Sequence, residues 1–145
     1  MTLSMALSGI LRADATLTAL LATYEPVADT TAAAIFAGRV PPQYSDVYNR
    51  IEIWEIYQDN RLIGAPMVQV SIRAQAINTG VAEMQARKIS AEVLRILDGY
   101  LGEFVSGNDG VAINACSYMP GGQNLLEDGG VLHCPLTFRI QTNTI

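Results

Sequence analysis

From Met67 onward, apolar and polar residues alternate. Val68, Val70, Ile72, Ala74 and Ala76 fall on every second position, with Gln69, Ser71, Arg73 and Gln75 between them. A period of two predicts a half-buried strand. After Asn78-Thr79-Gly80 the period lengthens. Ala82, Ala86, Ile89, Val93, Ile96 and Tyr100 recur at steps of three or four, and Glu83, Arg87, Lys88, Glu92 and Arg95 occupy the opposite side. This is the signature of an amphipathic helix with one face to bury. The i,i+4 pairs Glu83/Arg87 and Lys88/Glu92 suit its solvated side.

The same reading orders the rest of the chain. Leu3, Leu7, Ile10 and Leu11 make a short helical face, and Asp14 is placed to cap a second segment carrying Leu17, Leu20 and Leu21. Pro26 stops that segment, and Val27 to Ala34 is a connector of small residues. Ala34-Ile35-Phe36 is a brief strand, ended by Gly38 and by Pro41-Pro42. Tyr48 to Gln58, rich in β-branched and aromatic residues, predicts a long strand. The turn signals around Asp59-Asn60-Arg61 and Gly64-Ala65-Pro66 fold it into a hairpin with the strand from Met67.

Beyond the long helix, Gly99 or Gly102 supplies a stop and Ser106-Gly107-Asn108-Asp109-Gly110 a loop. Two strands follow, Val111 to Met119 and Val131 to Thr142, and Pro135 argues that the latter is an edge or carries a bulge. The predicted fold is α+β. An antiparallel or mixed sheet of four to five strands carries the long helix on one face, behind a short helical N-terminus. Residues 1–145 are expected to form one domain.

Composition narrows the function classes. Half of the residues are apolar, so a core is affordable without disulfides or metal, and Cys116 and Cys134 are expected as buried thiols. Fourteen acids against nine basic residues, of which only Lys88 is a lysine, leave a net charge of -5. That opposes the basic footprint of a protein that grips phosphate backbones. The N-terminus lacks the pattern of a signal peptide, and no apolar run nears the roughly eighteen residues of a membrane span. The expected compartment is the cytosol, with no membrane partner.

The residues offer little catalytic chemistry. A nucleophile triad or metal site needs histidine, and the only one, His133, falls on the polar side of a predicted edge strand. Glu52 and Glu55, three apart on a strand, face opposite sides, and Glu127-Asp128 lies in a loop, so neither makes a convergent acid/base pair. Gly121-Gly122 and Gly129-Gly130 lack the lysine and hydroxyl residue of a phosphate loop and serve as hinges. No catalytic residue, metal ligand or cofactor site is expected.

One stretch is less bland. Met119 to Gly130 is a twelve-residue loop flanked by glycine pairs that carries two adjacent leucines. Leu125 and Leu126 either fold back to cap the core or dock on a partner, with Met119, Gln123 and Asn124 beside them. The hairpin tip with Arg61, Leu62 and Ile63 presents a similar case.

The N-terminal pattern from Leu11 to Leu20 is followed by Ile35-Phe36-Ala37-Gly38-Arg39-Val40-Pro41, a hairpin, the strand and helix of Val68 to Tyr100, and a terminal pair of strands. This order resembles the tail-completion or tail-terminator proteins of long-tailed phages along nearly the whole chain. The resemblance implies a non-enzymatic virion protein of the tail and neck, assembled in the host cytoplasm. It would form a homo-oligomeric ring, commonly of six subunits, that caps the tail tube protein and joins it to the head-tail connector protein. DNA would pass through the lumen without specific binding, and an acidic, lysine-poor wall lets it slide. The alternatives are another phage neck or head-closure protein, or a small cytosolic α+β enzyme or ligand-binding domain.

Overall fold

Leu3–Arg12 forms the first helix, α1, and buries Leu3, Leu7, Ile10 and Leu11 along one side. The computed structural model describes residues 3–56, 66–75, 79–105 and 111–144. Asp14 caps the four-residue α2, Ala15–Thr18, as expected: its Oδ1 accepts from the Leu17 N–H at 3.0 Å. Its other oxygen accepts from Arg95 Nη2 at 2.7 Å. Arg95 lies on α3, Thr79–Leu97, so the cap also ties the N-terminal helices to the long one.

The small-residue connector is more ordered than its composition suggests. Thr23–Tyr24 (β1) and Ala32–Ala33 (β2) pair antiparallel in a two-stranded sheet of their own. Ile35–Ala37 (β3) is the brief strand expected there. A single 3-10 turn at Pro42–Tyr44 leads to Arg50–Ile56 (β4), which forms the anticipated antiparallel pair with Met67–Gln75 (β5).

After α3, the Gly99 φ of +76° turns the chain through a conformation that favours glycine, and Leu101–Val105 (β6) begins at once. Val111–Met119 (β7), Leu125–Glu127 (β8) and Val131–Thr144 (β9) follow. The main sheet has seven strands where the sequence pattern counts four to five, in the order β3-β4-β5-β9-β7-β6 with β8 also paired to β9. β6 and β8 are the additions, each too short to show a period. The sheet is mixed, since β3 runs parallel to β4 and the other pairings are antiparallel.

β9 is a central strand, not the edge that Pro135 suggested. The Ile140 N–H donates toward the β5 side, to Pro66 O at 2.9 Å. Even-numbered residues of β9 therefore face β5, and the odd-numbered ones, Pro135 included, face β7 and β8. β8 pairs with 131–133 and β7 with 137–144. Pro135 thus stands in the gap between them, where its missing N–H leaves no ladder bond unmade. A central strand contains one local edge.

One face of the sheet is apolar throughout. Ile51 and Ile53 of β4, Val68, Val70, Ile72 and Ala74 of β5, and Leu132, Cys134, Leu136, Phe138 and Ile140 of β9 are all buried. α1 and α3 supply Leu7 and Leu11, and Ala86, Ile89, Val93 and Leu97, to the same core. Leu97 is fully buried while Ile96 is only half-buried, a small rotation from the predicted stripe. Glu83 pairs with Arg87 as expected (2.7 Å), but Glu92 pairs with Arg95 (2.6 Å) and not with Lys88.

Ile89→Asp places an unpaired charge in this core and should cost several kcal/mol, enough to prevent folding. Arg87→Ala removes an exposed pair and should change stability by less than about 0.5 kcal/mol. Thermal melting of both variants checks the assignment of helix faces, and equal melting temperatures would refute it.

Candidate functional site

The opposite, outer face of the sheet carries the polar residues of the same strands, and the helices do not cover it. The register sets them in rows: Trp54, Gln69, Thr137 and Met119; Glu52, Ser71 and Pro135; Arg50, Arg73, His133 and Leu125. Alternation along β4 and β5 therefore stacks like-charged Arg50 and Arg73 side by side, a destabilising pair unless something neutralises it.

Glu52 neutralises it. Its Oε2 accepts from Arg50 Nε at 3.1 Å and from Arg73 Nη1, while Arg73 Nε donates to Glu127 Oε1 at 3.0 Å. Glu52 is only 4% exposed. Arg50 Nη1 also donates to the carbonyls of Ser45 and Val47, at 2.9 and 3.1 Å, folding the 45–49 segment over this end of the face. The Arg50 guanidinium lies 5.0 Å from the centre of the Tyr48 ring. Around the network is a concavity of about 550 Å³ lined by Tyr48, Arg50, Arg73, Leu126, Glu127 and Val131.

His133 belongs to this row and is buried, a correction to its expected place on a surface edge. Burial, and secondly the charge of Arg73, hold its imidazole below its ordinary value, so it is neutral at pH 7. Its Nε2 has no hydrogen-bond partner among the described residues. Cys116 and Cys134 are free and buried, and desolvation pushes the Cys116 thiol up to about 11. Such thiols are unreactive at neutral pH. Among the described residues no cluster of three His, Cys, Asp or Glu side chains is arranged to hold a metal. Arg50, Glu52, Arg73 and Glu127 pair with one another.

The stretch from Met119 to Gly130 is not the unsupported loop that its sequence suggests. Leu125, Leu126 and Glu127 pair with His133, Leu132 and Val131, so Glu127 sits on a strand and not in a loop. A 3-10 turn over Asp128–Gly130, with Gly129 at φ +77°, returns the chain into β9. The leucines do not cap the core: Leu125 is 51% and Leu126 64% exposed. Gln123 and Asn124 are exposed beside them, and Met119 is half-buried at the end of β7. The structure does not bring the expected contact residues into one patch: Met119 lies in the Thr137 row and Leu125 in the His133 row, four residues apart along β9, while Leu126 pairs with Leu132. Arg61, Leu62 and Ile63 lie outside the described residues.

The sequence reading missed the ion network. Its signal was present: Arg50 and Glu52, two apart on a strand, must share a face, and Arg73 stands with Gln69 and Ser71 on the polar face of the strand paired to it.

The chain matches a chain from the virion of a native gene transfer agent particle, with a TM-score of 0.62 and 18% sequence identity, over 97% of this chain and 93% of the other. The two share a fold. No family model and no curated protein matches the sequence.

Two expectations follow from the outer face. Removing Glu52 by Glu52→Ala leaves Arg50 and Arg73 adjacent without their shared counterion, which should cost about 3–5 kcal/mol in denaturant unfolding. Exposed Glu55→Ala should cost less than about 0.5 kcal/mol. His133 gives a pH signature. Its folded-state value lies below the unfolded 6.5, so the unfolded chain binds the extra proton as pH falls through that value, and stability drops. Between about pH 7.5 and about pH 5.5 the melting temperature of His133→Gln should therefore fall less than that of the parent. Parallel curves would refute the burial argument.

Proposed function

We propose that this chain is a structural protein of a phage-like virion, and more specifically a tail terminator. In this role copies form a ring that caps the tail tube protein, stops its polymerisation and joins it to the head-tail connector protein. The observation that carries the reading is the shared fold with a gene transfer agent virion chain along nearly the full length of both. Two further features support it. Arg50, Glu52, Arg73 and Glu127 of the outer face pair with one another, which suits a fixed assembly surface better than a reaction centre. A net charge of -5 with a single lysine suits a channel wall that DNA passes without sticking.

On this reading the protein is not an enzyme, needs no cofactor and is located in the virion, with assembly in the host cytoplasm. Light scattering of the purified protein, alone and with its tail tube protein, tests it. The expected particle has a mass near six times the 15.6 kDa of one chain, shows a central opening by negative-stain microscopy and limits tube length. A ring that binds the connector and ignores the tube would make it a neck or head-closure protein. A monomer at all concentrations, with or without the tube, would overturn the assignment.

A further inference from the structure

Little holds β8 to the sheet. All three of its residues are exposed, and they pair only with Val131, Leu132 and His133 of β9. Burial of its own side chains does little to keep it in place, and local opening begins where few apolar contacts resist it. Odd-numbered residues of β9 turn their N–H and C=O groups toward β8, so the ladder rests on His133 with Leu125 and on Val131 with Glu127. Two polar ties join β8 and the turn after it to β5. Arg73 Nε donates to Glu127 Oε1 at 3.0 Å, and Gln75 Nε2 donates to Gly129 O at 2.7 Å.

His133 stands at the root of this attachment. Its backbone carries one of the two bonded pairs, and its imidazole lies in the row between Arg73 of β5 and Leu125 of β8. The residue is 9% exposed, and its Nε2 is buried without a hydrogen-bond partner among the described residues. The charged groups about it are Arg73 on β5, Arg50 and Glu52 on β4, and Glu127 on β8, with Tyr48 of the segment before β4 lying against Arg50. Both carboxylates are already bonded to arginine, Glu52 to Arg50 and Arg73, and Glu127 to Arg73. A proton on the imidazole therefore sets a third cation into the row of Arg50 and Arg73, and neither carboxylate is free to meet it. It also leaves a charged N–H buried and unbonded.

Lifting β8 relieves both costs, because it opens the Leu125 side of the imidazole to water. We propose that His133 is a proton-operated catch for β8: protonating its imidazole releases β8 from β9 while the rest of the sheet stays paired. Burial keeps the imidazole neutral at pH 7, so the catch is closed there. Release also takes Glu127 away, which by itself opposes protonation, but burial is the largest influence on this group and its loss prevails. The imidazole thus takes its proton more readily with β8 open, and a falling pH favours the open form. The catch does not depend on the tail-terminator reading.

Amide hydrogen exchange of the full chain at about pH 7.5 and about pH 5.5 tests it, with each rate divided by its intrinsic chemical rate and measured again in dilute urea. On acidification the Leu125, Glu127, Val131 and His133 amides should lose at least about threefold of their protection. The ceiling is about tenfold, set by one pH unit below the ordinary histidine value of about 6.5. Their rates should not respond to urea, as befits a local opening. In His133→Gln the acid loss should vanish. In Glu127→Gln, which keeps the imidazole, protection should be lower at both pH values and the acid loss should persist. An acid loss that grows with urea and spreads over β4 and β5 means that the whole sheet yields, and overturns the catch. Unchanged or higher protection in acid overturns it too, since Glu127 would then turn to the charged imidazole and hold β8 tighter. So does an acid loss that survives His133→Gln, or one that disappears in Glu127→Gln and thereby makes the carboxylate the titrating group.

Discussion

The architecture depends on one strand and on one missing N–H within it. β9 spans fourteen residues and pairs with β5 along one side and with β7 and β8 along the other. Pro135 cannot donate toward that second side, so the pairing breaks there and the partner is supplied in two pieces. Gly122 passes through the break so closely that a Cβ on it would lie 2.7 Å from the Pro135 carbonyl oxygen. The chain leaves the sheet after Met119, crosses the gap through Gly121 and Gly122, and re-pairs as β8. The exposed leucines are thus presented by a strand anchored to the centre of the sheet, and they do not hang on a loose loop. A presented, pre-ordered strand loses less entropy on docking than a loop that must order first.

The second constraint is electrostatic. Alternation sets the Arg50 and Arg73 side chains side by side on the outer face, and Glu52 makes that arrangement tolerable by bonding both. Glu127 extends the network to β8, so β8 is tied to the sheet by an ion pair as well as by its ladder. A buried pair of this kind is weak evidence for stability and better evidence for a fixed geometry, because breaking one member strands the others. Within the network two arginines are balanced by two carboxylates.

Strong periods in the sequence translated directly into elements. The alternation from Met67 and the helical stripe from Ala82 needed no tertiary information, and Asp14 announced its own cap. β6 and β8 were illegible because five and three residues carry no period; they exist through pairing with β7 and β9. Pro135 was read correctly in its chemistry and wrongly in its place, since a local gap inside a central strand satisfies the same rule as an edge. His133 was assigned by strand parity to the outer face, where it is, but parity alone does not reveal that its neighbours there bury it. The stretch from Met119 to Gly130 stands out in the sequence by its two leucines.

Under the proposed function the chain is a structural part of a phage-like particle, repeated around a channel. Electron cryomicroscopy of purified particles tests this most directly. The account predicts a ring of density between head and tail into which this fold docks. Purified, DNA-filled particles that lack the chain altogether would contradict it.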